Sequence, residues 1–330
     1  MKVCFFGAGA IGGYLAAHVA RTTGCEVSVI ARGAHLEAIR RDGLRVLRGA
    51  EMLEAGVTAT DRPADLPPQD YVFLTMKTHQ LDAALDQLEP LLGPATAVLP
   101  PTSGVPFWFF HEAAAPLSRA TLDRLDPGGR QRAGIAPTRV IGCVYWIPTE
   151  IVAPGVVRQH GSFAAFPIGE LDGARSERTA RLSEAMAAGG VTAPVSANIR
   201  AEIWMKMVSS LVWNSAALLT EATLGQMATA PDVVEIVRRM VVETNTVAEA
   251  IGLRLPRSTE ARMAIALDAG PHRMSMLQDL QLGRPLEFDA VKDSFLAVRD
   301  HVGAATPVLD SILPLASLRA RLVQATSRRT

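Results

Sequence analysis

The sequence has few cysteines and no pattern that would connect them. Cys4, Cys25 and Cys143 lie far apart, form no C-x-x-C pair and have no histidines clustered near them. Neither a disulfide framework nor a zinc site is indicated, since both need ligands at characteristic spacings. We therefore expect buried thiols in a reducing cytoplasm and no bound metal.

Net charge is also absent, because 33 Lys and Arg residues balance 33 Asp and Glu residues. No net field therefore recruits nucleic acid or an anionic membrane. No uninterrupted apolar run approaches the roughly 18 residues of a membrane span, and glycines stand where a signal peptide would keep its apolar region. The expected partner is a small molecule, and the expected location is the cytoplasm.

The pattern of the sequence changes near residue 198. Strand and helix patterns alternate through the residues before it, which is typical of a parallel sheet with helices on both faces. After it, long helical patterns follow one another. We predict an α/β domain with a doubly wound parallel sheet at 1–197 and an all-helical domain at 198–330, with Asn198 capping the first long helix.

The predicted elements follow from these patterns. Candidate strands span 2–6, 26–30, 71–76, 97–100, 140–146 and 163–168. Candidate helices of the second domain span 198–221, 231–251, 257–268, 287–302 and 307–324. The polar segment 116–137, rich in Gly and Arg, predicts a surface excursion rather than a core element. The aromatic run 106–110 favours core packing of a helix over a substrate-binding role.

The opening stretch MKVCFFGAGAIGGYLA contains a glycine-rich turn between a strand and a helix. Gly7, Gly9 and Gly12 have the spacing G-x-G-x-x-G, with Ala10 and Ile11 inside it. In this context the glycines let backbone approach a pyrophosphate, and the helix presents free N–H groups to it. Tight turns that bind nothing also use glycines, but the preceding strand and following helix favour a Rossmann-type dinucleotide site.

The residue after the second strand indicates which dinucleotide binds. An NAD site normally carries an acid there, whereas this chain reads VIARGAHL. Arg32, with His35 assisting, would pair well with a 2′-phosphate. An exposed arginine without a ligand is the alternative. The absence of an acidic residue at this position favours NADP(H) over NAD(H) as the cofactor.

Two polar features in the helical domain suggest proton chemistry. Lys206, Ser210 and Asn214 lie on one face of an otherwise apolar helix. Glu287 opens a later helix, where its carboxylate could orient a buried lysine or complement its own helix dipole. The alternative for the first helix is that Lys206 extends to the surface and Asn214 satisfies backbone.

The sequence resembles the 2-dehydropantoate 2-reductases, also called ketopantoate reductases, over nearly its whole length. The resemblance rests on GAGAIGG at 7–13, Arg32, MKTHQ at 76–80, SGVPFW at 103–108, IRAEIWMK at 199–206, SMLQDL at 275–280 and GRPLEFD at 283–289. It implies a Rossmann domain joined to a helical domain like that of 6-phosphogluconate dehydrogenase, with the active site in the cleft between them.

The resemblance also implies roles for individual residues. Lys206 matches the family's general acid, and Glu287 matches the carboxylate that holds it and contacts the cofactor. Ser275 matches the serine that binds the substrate carboxylate, Asn214 matches a residue that holds the substrate hydroxyl, and Lys77 matches a lysine near the cofactor. The implied reaction is the NADPH-dependent reduction of 2-dehydropantoate to pantoate.

The chain departs from the family pattern at three positions. Ser103, Ser210 and His272 stand where the family usually has asparagine. As members of the cofactor or substrate site, they would change its polar contacts. Either the enzyme takes a different or bulkier 2-oxo acid, or water fills the gaps and ketopantoate still reacts.

Other functions on the same residues stay open. The scaffold could oxidise a hydroxy acid or reduce an imine, or the chain could be a noncatalytic NADP(H)-binding sensor. Retention of Lys206 and Glu287 argues against the sensor. An apolar face in such a helical domain favours a homodimer, for which about 1,200–2,000 Å² of burial is typical.

Overall fold

The computed structural model describes residues 1–113 and 117–327. These form two compact units. The first unit contains residues 1–102, 107–113 and 128–202, and the second contains residues 103–106, 117–127 and 203–327. The sequence-based division was a single boundary at 197/198, whereas the units change over between Glu202 and Ile203 and assign two earlier segments to the second unit.

The strands all belong to the first unit. They are β1 (Lys2–Phe6), β2 (Glu26–Ile30), β3 (Leu44–Arg48), β4 (Glu51–Ala55), β5 (Thr58–Thr60), β6 (Gln69–Leu74), β7 (Leu92–Leu99), β8 (Gly142–Cys143), β9 (Thr149–Ala153), β10 (Val156–Gln159) and β11 (Ile168–Gly169).

The helices occur in both units. They are α1 (Ala10–Val19), α2 (Gly33–Asp42), α3 (Leu81–Leu85), α4 (Arg119–Leu125), α5 (Arg130–Gly134), α6 (Glu177–Ala188), α7 (Ile199–Thr220), α8 (Leu224–Ala228), α9 (Pro231–Ala250), α10 (Thr259–Leu267), α11 (Ser275–Gln281), α12 (Phe288–Val302) and α13 (Pro307–Ser327).

A parallel five-stranded sheet forms the centre of the first unit. Its strand order is β5-β2-β1-β6-β7. Val3 and Phe5 on β1 are fully buried, as expected for a central parallel strand with covered faces. Phe5 stacks on Phe73 of β6 with ring centroids 4.7 Å apart. The strand order reverses between β1 and β6, and ligands bind beyond the carboxyl ends of strands at such switch points.

A second sheet was not predicted from the sequence. Its order is β4-β3-β10-β9, with β3 and β10 parallel and the outer pairs antiparallel. Leu44, Val46 and Val157 point into the core of the first unit, where they are buried. The sheet therefore joins segments that are distant along the chain.

The second unit is all helical, as predicted. Helix α7 begins in the first unit, where Asn198 Oδ1 accepts a hydrogen bond from the Ala201 N–H at 3.1 Å. The predicted cap is thus confirmed. Farther along, Trp204 packs near Phe295 of α12, with ring centroids 6.2 Å apart. No helix among residues 1–113 and 117–327 is long and apolar enough to cross a membrane.

Two expectations about the middle of the chain were confirmed only in part, since most residues of 117–137 are exposed or half-buried but the segment also contains helices and buried side chains. Within the predicted excursion at 116–137, residues 119–125 and 130–134 form α4 and α5, and Asp126 and Ile135 are buried. Positions 114–116 lie outside the described residues. The aromatic run at 106–110 is buried at residues 107–110, as expected, but it forms turns rather than a helix.

Candidate active site

The glycine-rich turn of the first unit lies at the carboxyl ends of β1 and β6. Gly7 has φ +108°, a conformation that side chains disfavour. A Cβ atom at Gly12 would lie 2.0 Å from the Gly7 carbonyl oxygen and 2.3 Å from Thr75 Oγ1. Gly9, in contrast, faces open space, with nothing within 4 Å of an added Cβ atom. Two glycines thus permit close packing, and the third keeps the surface of the turn clear.

Helix α1 begins at Ala10, within the glycine motif. Gly9 is its N-cap residue and provides no side-chain cap. The Gly9 carbonyl oxygen accepts from the Gly13 N–H at 2.7 Å. Ala10 and Ile11 form the first turn, whose N–H groups have no carbonyl partner within a helix. A clear surface and an uncapped helix start fit the pyrophosphate of a dinucleotide.

Arg32 lies where β2 ends and α2 begins. It is exposed, it is the N-cap residue of α2, and the first turn of that helix has no acidic residue. His35, which the sequence suggested as an assistant of Arg32, bonds backbone groups with both ring nitrogens. Its Nε2 bonds the Ala8 carbonyl oxygen at 2.6 Å, and its Nδ1 accepts from the Gly155 N–H at 3.0 Å. The imidazole therefore ties the glycine-rich turn to the β9–β10 hairpin.

Lys77 follows β6 in the first unit. It precedes a short 3₁₀ turn, and its backbone N–H donates to Gln80 Oε1 at 3.2 Å. Its side chain is half-buried. The turn fixes the backbone from which this lysine extends.

Lys206 and Glu287 form the charged centre of the second unit. Burial of Lys206 lowers its pKa to about 8, while the negative charge of Glu287 opposes this change. Glu287 is the N-cap residue of α12, yet its carboxylate makes no capping hydrogen bond to that helix. The carboxylate instead acts on neighbouring side chains, which favours the lysine-orienting alternative over the dipole alternative.

Loop 103–106 is held against α12. The Ser103 hydroxyl donates to Glu287 Oε2 at 3.4 Å. The Val105 N–H donates to Ser294 Oγ at 2.9 Å, and Ser294 Oγ donates to the Val291 carbonyl oxygen at 2.8 Å. Gly104 has φ +88°, and an added Cβ atom would lie 2.5 Å from Ser294 Oγ. Sequence reasoning missed Ser294, although it lies two helical turns from Glu287 on the same helix face.

The side-chain amide of Asn214 bonds two backbone groups. It is fully buried, its Nδ2 donates to the Ser210 carbonyl oxygen at 2.8 Å, and its Oδ1 accepts from the Met276 N–H at 3.0 Å. Its amide thus links α7 to the start of α11, in agreement with the structural alternative left open above. Ser210 remains half-buried on the same face of α7.

The remaining predicted substrate residues lie close to this link. Ser275 is the exposed first residue of α11, beside Met276. The His272 carbonyl oxygen accepts from the Leu224 N–H at 3.0 Å, which anchors the segment before α11. The second unit thus brings Lys206 close to Glu287, and Ser103 bonds the carboxylate of Glu287. Among the residues that the structure describes, no group of three or more His, Cys, Asp and Glu side chains is arranged to hold a metal.

The comparisons with known proteins agree with this arrangement. Residues 3–173 match the family model described as ketopantoate reductase PanE/ApbA, and residues 198–320 match its C-terminal counterpart. The chain is 42% identical to the 2-dehydropantoate 2-reductase of Mesorhizobium japonicum over 96% of each chain. The chain therefore belongs to the ketopantoate reductase family and is an oxidoreductase acting on CH–OH groups.

Solved structures show the same fold. A PanE/ApbA family ketopantoate reductase from Ralstonia eutropha is 26% identical, with a TM-score of 0.81 over 98% of this chain and 100% of that one. D-mandelate dehydrogenase, solved with NADH and anilino(oxo)acetate, is 20% identical, with a TM-score of 0.80 over 98% and 99%. At 20% identity, the similarity to D-mandelate dehydrogenase shows a common fold and nothing more.

Proposed function

We propose that this protein reduces 2-dehydropantoate to pantoate with NADPH, and that Lys206 supplies the proton. The observation that carries the proposal is the burial of Lys206 beside the Glu287 carboxylate, and this burial lowers the pKa of Lys206 to about 8. A group with this pKa holds a proton at neutral pH and can release it during the reaction. The 42% identical relative from Mesorhizobium japonicum is named for this reaction, which supports the substrate.

The first unit would hold the dinucleotide. Gly7, Gly9 and Gly12 would admit the pyrophosphate to the start of α1, where Ala10 and Ile11 offer their N–H groups. Arg32 would pair with the 2′-phosphate, because a guanidinium binds phosphate oxygens in a bidentate manner. Lys77 would lie near the cofactor.

NADPH held there would supply the hydride that C2 of the 2-oxo acid receives. Lys206 donates a proton to the carbonyl oxygen as it becomes a hydroxyl, and its charge stabilises the negative charge that develops there. Glu287 keeps Lys206 protonated against the effect of burial. Ser103 holds one oxygen of that carboxylate. Ser275 would bind the substrate carboxylate, with Ser210, Asn214 and His272 as the other expected contacts.

A second candidate is the reduction of a different 2-oxo acid on the same residues. The observation that favours it is the amide of Asn214, which is buried and bonded to two backbone groups. The amide keeps one N–H and one oxygen lone pair beyond these two bonds, but its burial limits their access to a substrate hydroxyl. The short Ser210 side chain would leave more space for an apolar substrate.

The test is to follow NADPH absorbance with 2-dehydropantoate and then with branched and aromatic 2-oxo acids, with NADH in parallel. We expect efficient loss of NADPH signal with 2-dehydropantoate. Turnover of another acid alone would favour the second candidate, and no turnover of any acid would contradict both.

The coenzyme preference is tested separately with Arg32→Ala. We expect the KM for NADPH to rise at least about tenfold and the KM for NADH to stay unchanged, because only NADPH carries the 2′-phosphate. Arg41→Ala is the matched control, since Arg41 is an exposed arginine of α2 that pairs with Asp42. An equal loss for both coenzymes would contradict the role of Arg32. A homodimer and a cytoplasmic location stay predictions from the sequence.

A further inference from the structure

A cavity in the second unit lies between the end of α9 and the start of α10. Its volume is about 490 Å³, which falls within the range of small-molecule sites. Arg254, Arg257 and Arg262 line it, together with Asn245 and Thr259. None of these residues belongs to the catalytic arrangement proposed above.

The polar wall of the cavity is fixed by its own hydrogen bonds. Asn245 Nδ2 donates to Thr259 Oγ1 at 2.8 Å, and Asn245 Oδ1 accepts from Arg262 Nη2 at 2.5 Å. Arg262 Nε donates to the Ser258 carbonyl oxygen at 3.4 Å. The guanidinium of Arg262 is therefore oriented before any ligand arrives, which reduces the entropy lost on binding.

The positive charge at this cavity is only partly balanced. Within the described part of the chain, Arg257 and Arg262 form no ion pair with a carboxylate, and Nη1 of Arg262 is buried without a hydrogen-bond acceptor. One carboxylate, Glu249, lines the cavity with the three arginines, and Glu260 acts on Arg262 through space. Because Nη1 of Arg262 is buried, the guanidinium groups that a ligand in the cavity would reach are those of the exposed Arg254 and Arg257.

We propose that this cavity binds a small, multiply charged oxyanion, such as a phosphate ester or a di- or tricarboxylate. Guanidinium groups pair with the oxygens of both classes through parallel hydrogen bonds. The apolar floor formed by Ala248 and Leu253 would pack against the carbon skeleton of such a ligand. A concave site of this volume suits a small molecule better than an extended macromolecular surface.

The test is isothermal titration of the full-length protein with pyrophosphate, with citrate, and with acetate at matched ionic strength. We expect saturable binding of pyrophosphate or citrate and none of acetate. Preference for pyrophosphate would assign the site to phosphate-bearing ligands, and preference for citrate would assign it to polycarboxylates. Absence of saturable binding with both would overturn the proposal.

Variants locate the binding event. Arg254→Gln combined with Arg257→Gln should weaken binding at least about tenfold, because two of the three guanidinium groups are removed. Glu249→Gln should tighten it. Arg239→Gln is the matched control, since Arg239 is an exposed arginine of α9 outside the cavity.

The glycine-rich turn of the first unit would also attract pyrophosphate, so Arg32→Ala is titrated in parallel. The component that Arg32→Ala retains and the double variant loses belongs to this cavity. If the double variant binds as tightly as the unchanged protein, the proposal is wrong. The titration measures anion binding and not turnover, so its result does not depend on whether the proposed reductase reaction is correct.

Discussion

Ser103 donates a hydrogen bond to Glu287 at 3.4 Å, although the two residues are 184 positions apart in the sequence. The bond joins a short loop to the start of α12. Glu287 in turn raises the pKa of Lys206 against the lowering effect of burial. A loop hydroxyl, a carboxylate and a lysine thus form one electrostatic group within the second unit.

Replacement of Lys206 should remove the proton donor without removing the cofactor site. We expect Lys206→Met to lower kcat by about 10²- to 10⁴-fold, the usual contribution of general acid catalysis. NADPH affinity, measured by fluorescence titration, should stay nearly unchanged. Lys206→Arg separates the two effects, because it keeps the positive charge but releases a proton far less readily. Unchanged turnover in Lys206→Met would exclude this residue as the acid.

Reduction should slow as the pH rises through about 8, because Lys206 loses its proton there. The same group affects stability with the opposite sign. Its ordinary pKa is 10.5, so between about pH 8 and 10.5 the unfolded chain binds more protons than the folded one. The free energy of unfolding should therefore increase with pH across this window. Lys206→Met should flatten both profiles, and a kcat independent of pH in the unchanged protein would contradict the assignment.

Glu287→Gln should shift the alkaline fall in the pH profile of kcat to lower pH. Without the negative charge, burial alone acts on the pKa of Lys206 and lowers it further. The matched control is Asp293→Asn, which removes an exposed carboxylate from the same helix. An alkaline fall that stays in place in Glu287→Gln, or moves equally in both variants, would argue against a specific interaction with Lys206.

Ser294 should act on the reaction through loop 103–106 as a positioning residue. Ser294→Ala removes the acceptor of the Val105 N–H, so we expect kcat to fall about 2- to 10-fold, as loss of one hydrogen bond would produce. The alkaline fall in the pH profile should also move to lower pH, because Ser103 and Glu287 are held less firmly. Ser311→Ala, at an exposed serine of α13, is the control. A change in thermal stability alone, with an unmoved pH profile, would reduce Ser294 to a structural role.

Alanine substitutions at two glycines of the glycine-rich motif should affect the free energy of unfolding differently. Gly12→Ala places Cβ within 2.3 Å of two oxygen atoms, so we expect a loss of about 1–3 kcal/mol or more in the free energy of unfolding. Gly9→Ala meets nothing within 4 Å and should leave stability unchanged or raise it by up to about 1 kcal/mol. It should still weaken NADPH binding, because its methyl group would lie where backbone approaches phosphate. Denaturant unfolding combined with cofactor titration distinguishes these outcomes.

The best predictions concerned local patterns. β1 and β2 have the bounds expected from their apolar runs, and the helix expected at the glycine motif begins at Ala10, inside that motif. α7 and α12 agree to within one residue with the helices expected at 198–221 and 287–302. In these segments the periodicity of the sequence and the tertiary packing favour the same structure.

The failures concerned contacts between distant segments. β3 and β4 carry charged residues on their exposed sides, which weakens the strand pattern. The parallel partner of β3 is β10, which lies far along the chain, so local sequence does not predict the second sheet. The two ring nitrogens of His35 bind backbone groups that are 27 and 120 positions away. The role of Ser294 likewise depends on where loop 103–106 packs, which periodicity does not encode.

The parallel pairing of β3 with β10 also determines when the first unit can finish folding during synthesis. Arg45 pairs with Val156, so roughly 110 residues must leave the ribosome before β3 acquires its partner. Until then the five-stranded sheet can assemble, but β3 presents an open edge to other chains. A nascent chain that stops near residue 102 would therefore hold all of that sheet and be prone to aggregation, and recruitment of a chaperone at this length would protect it.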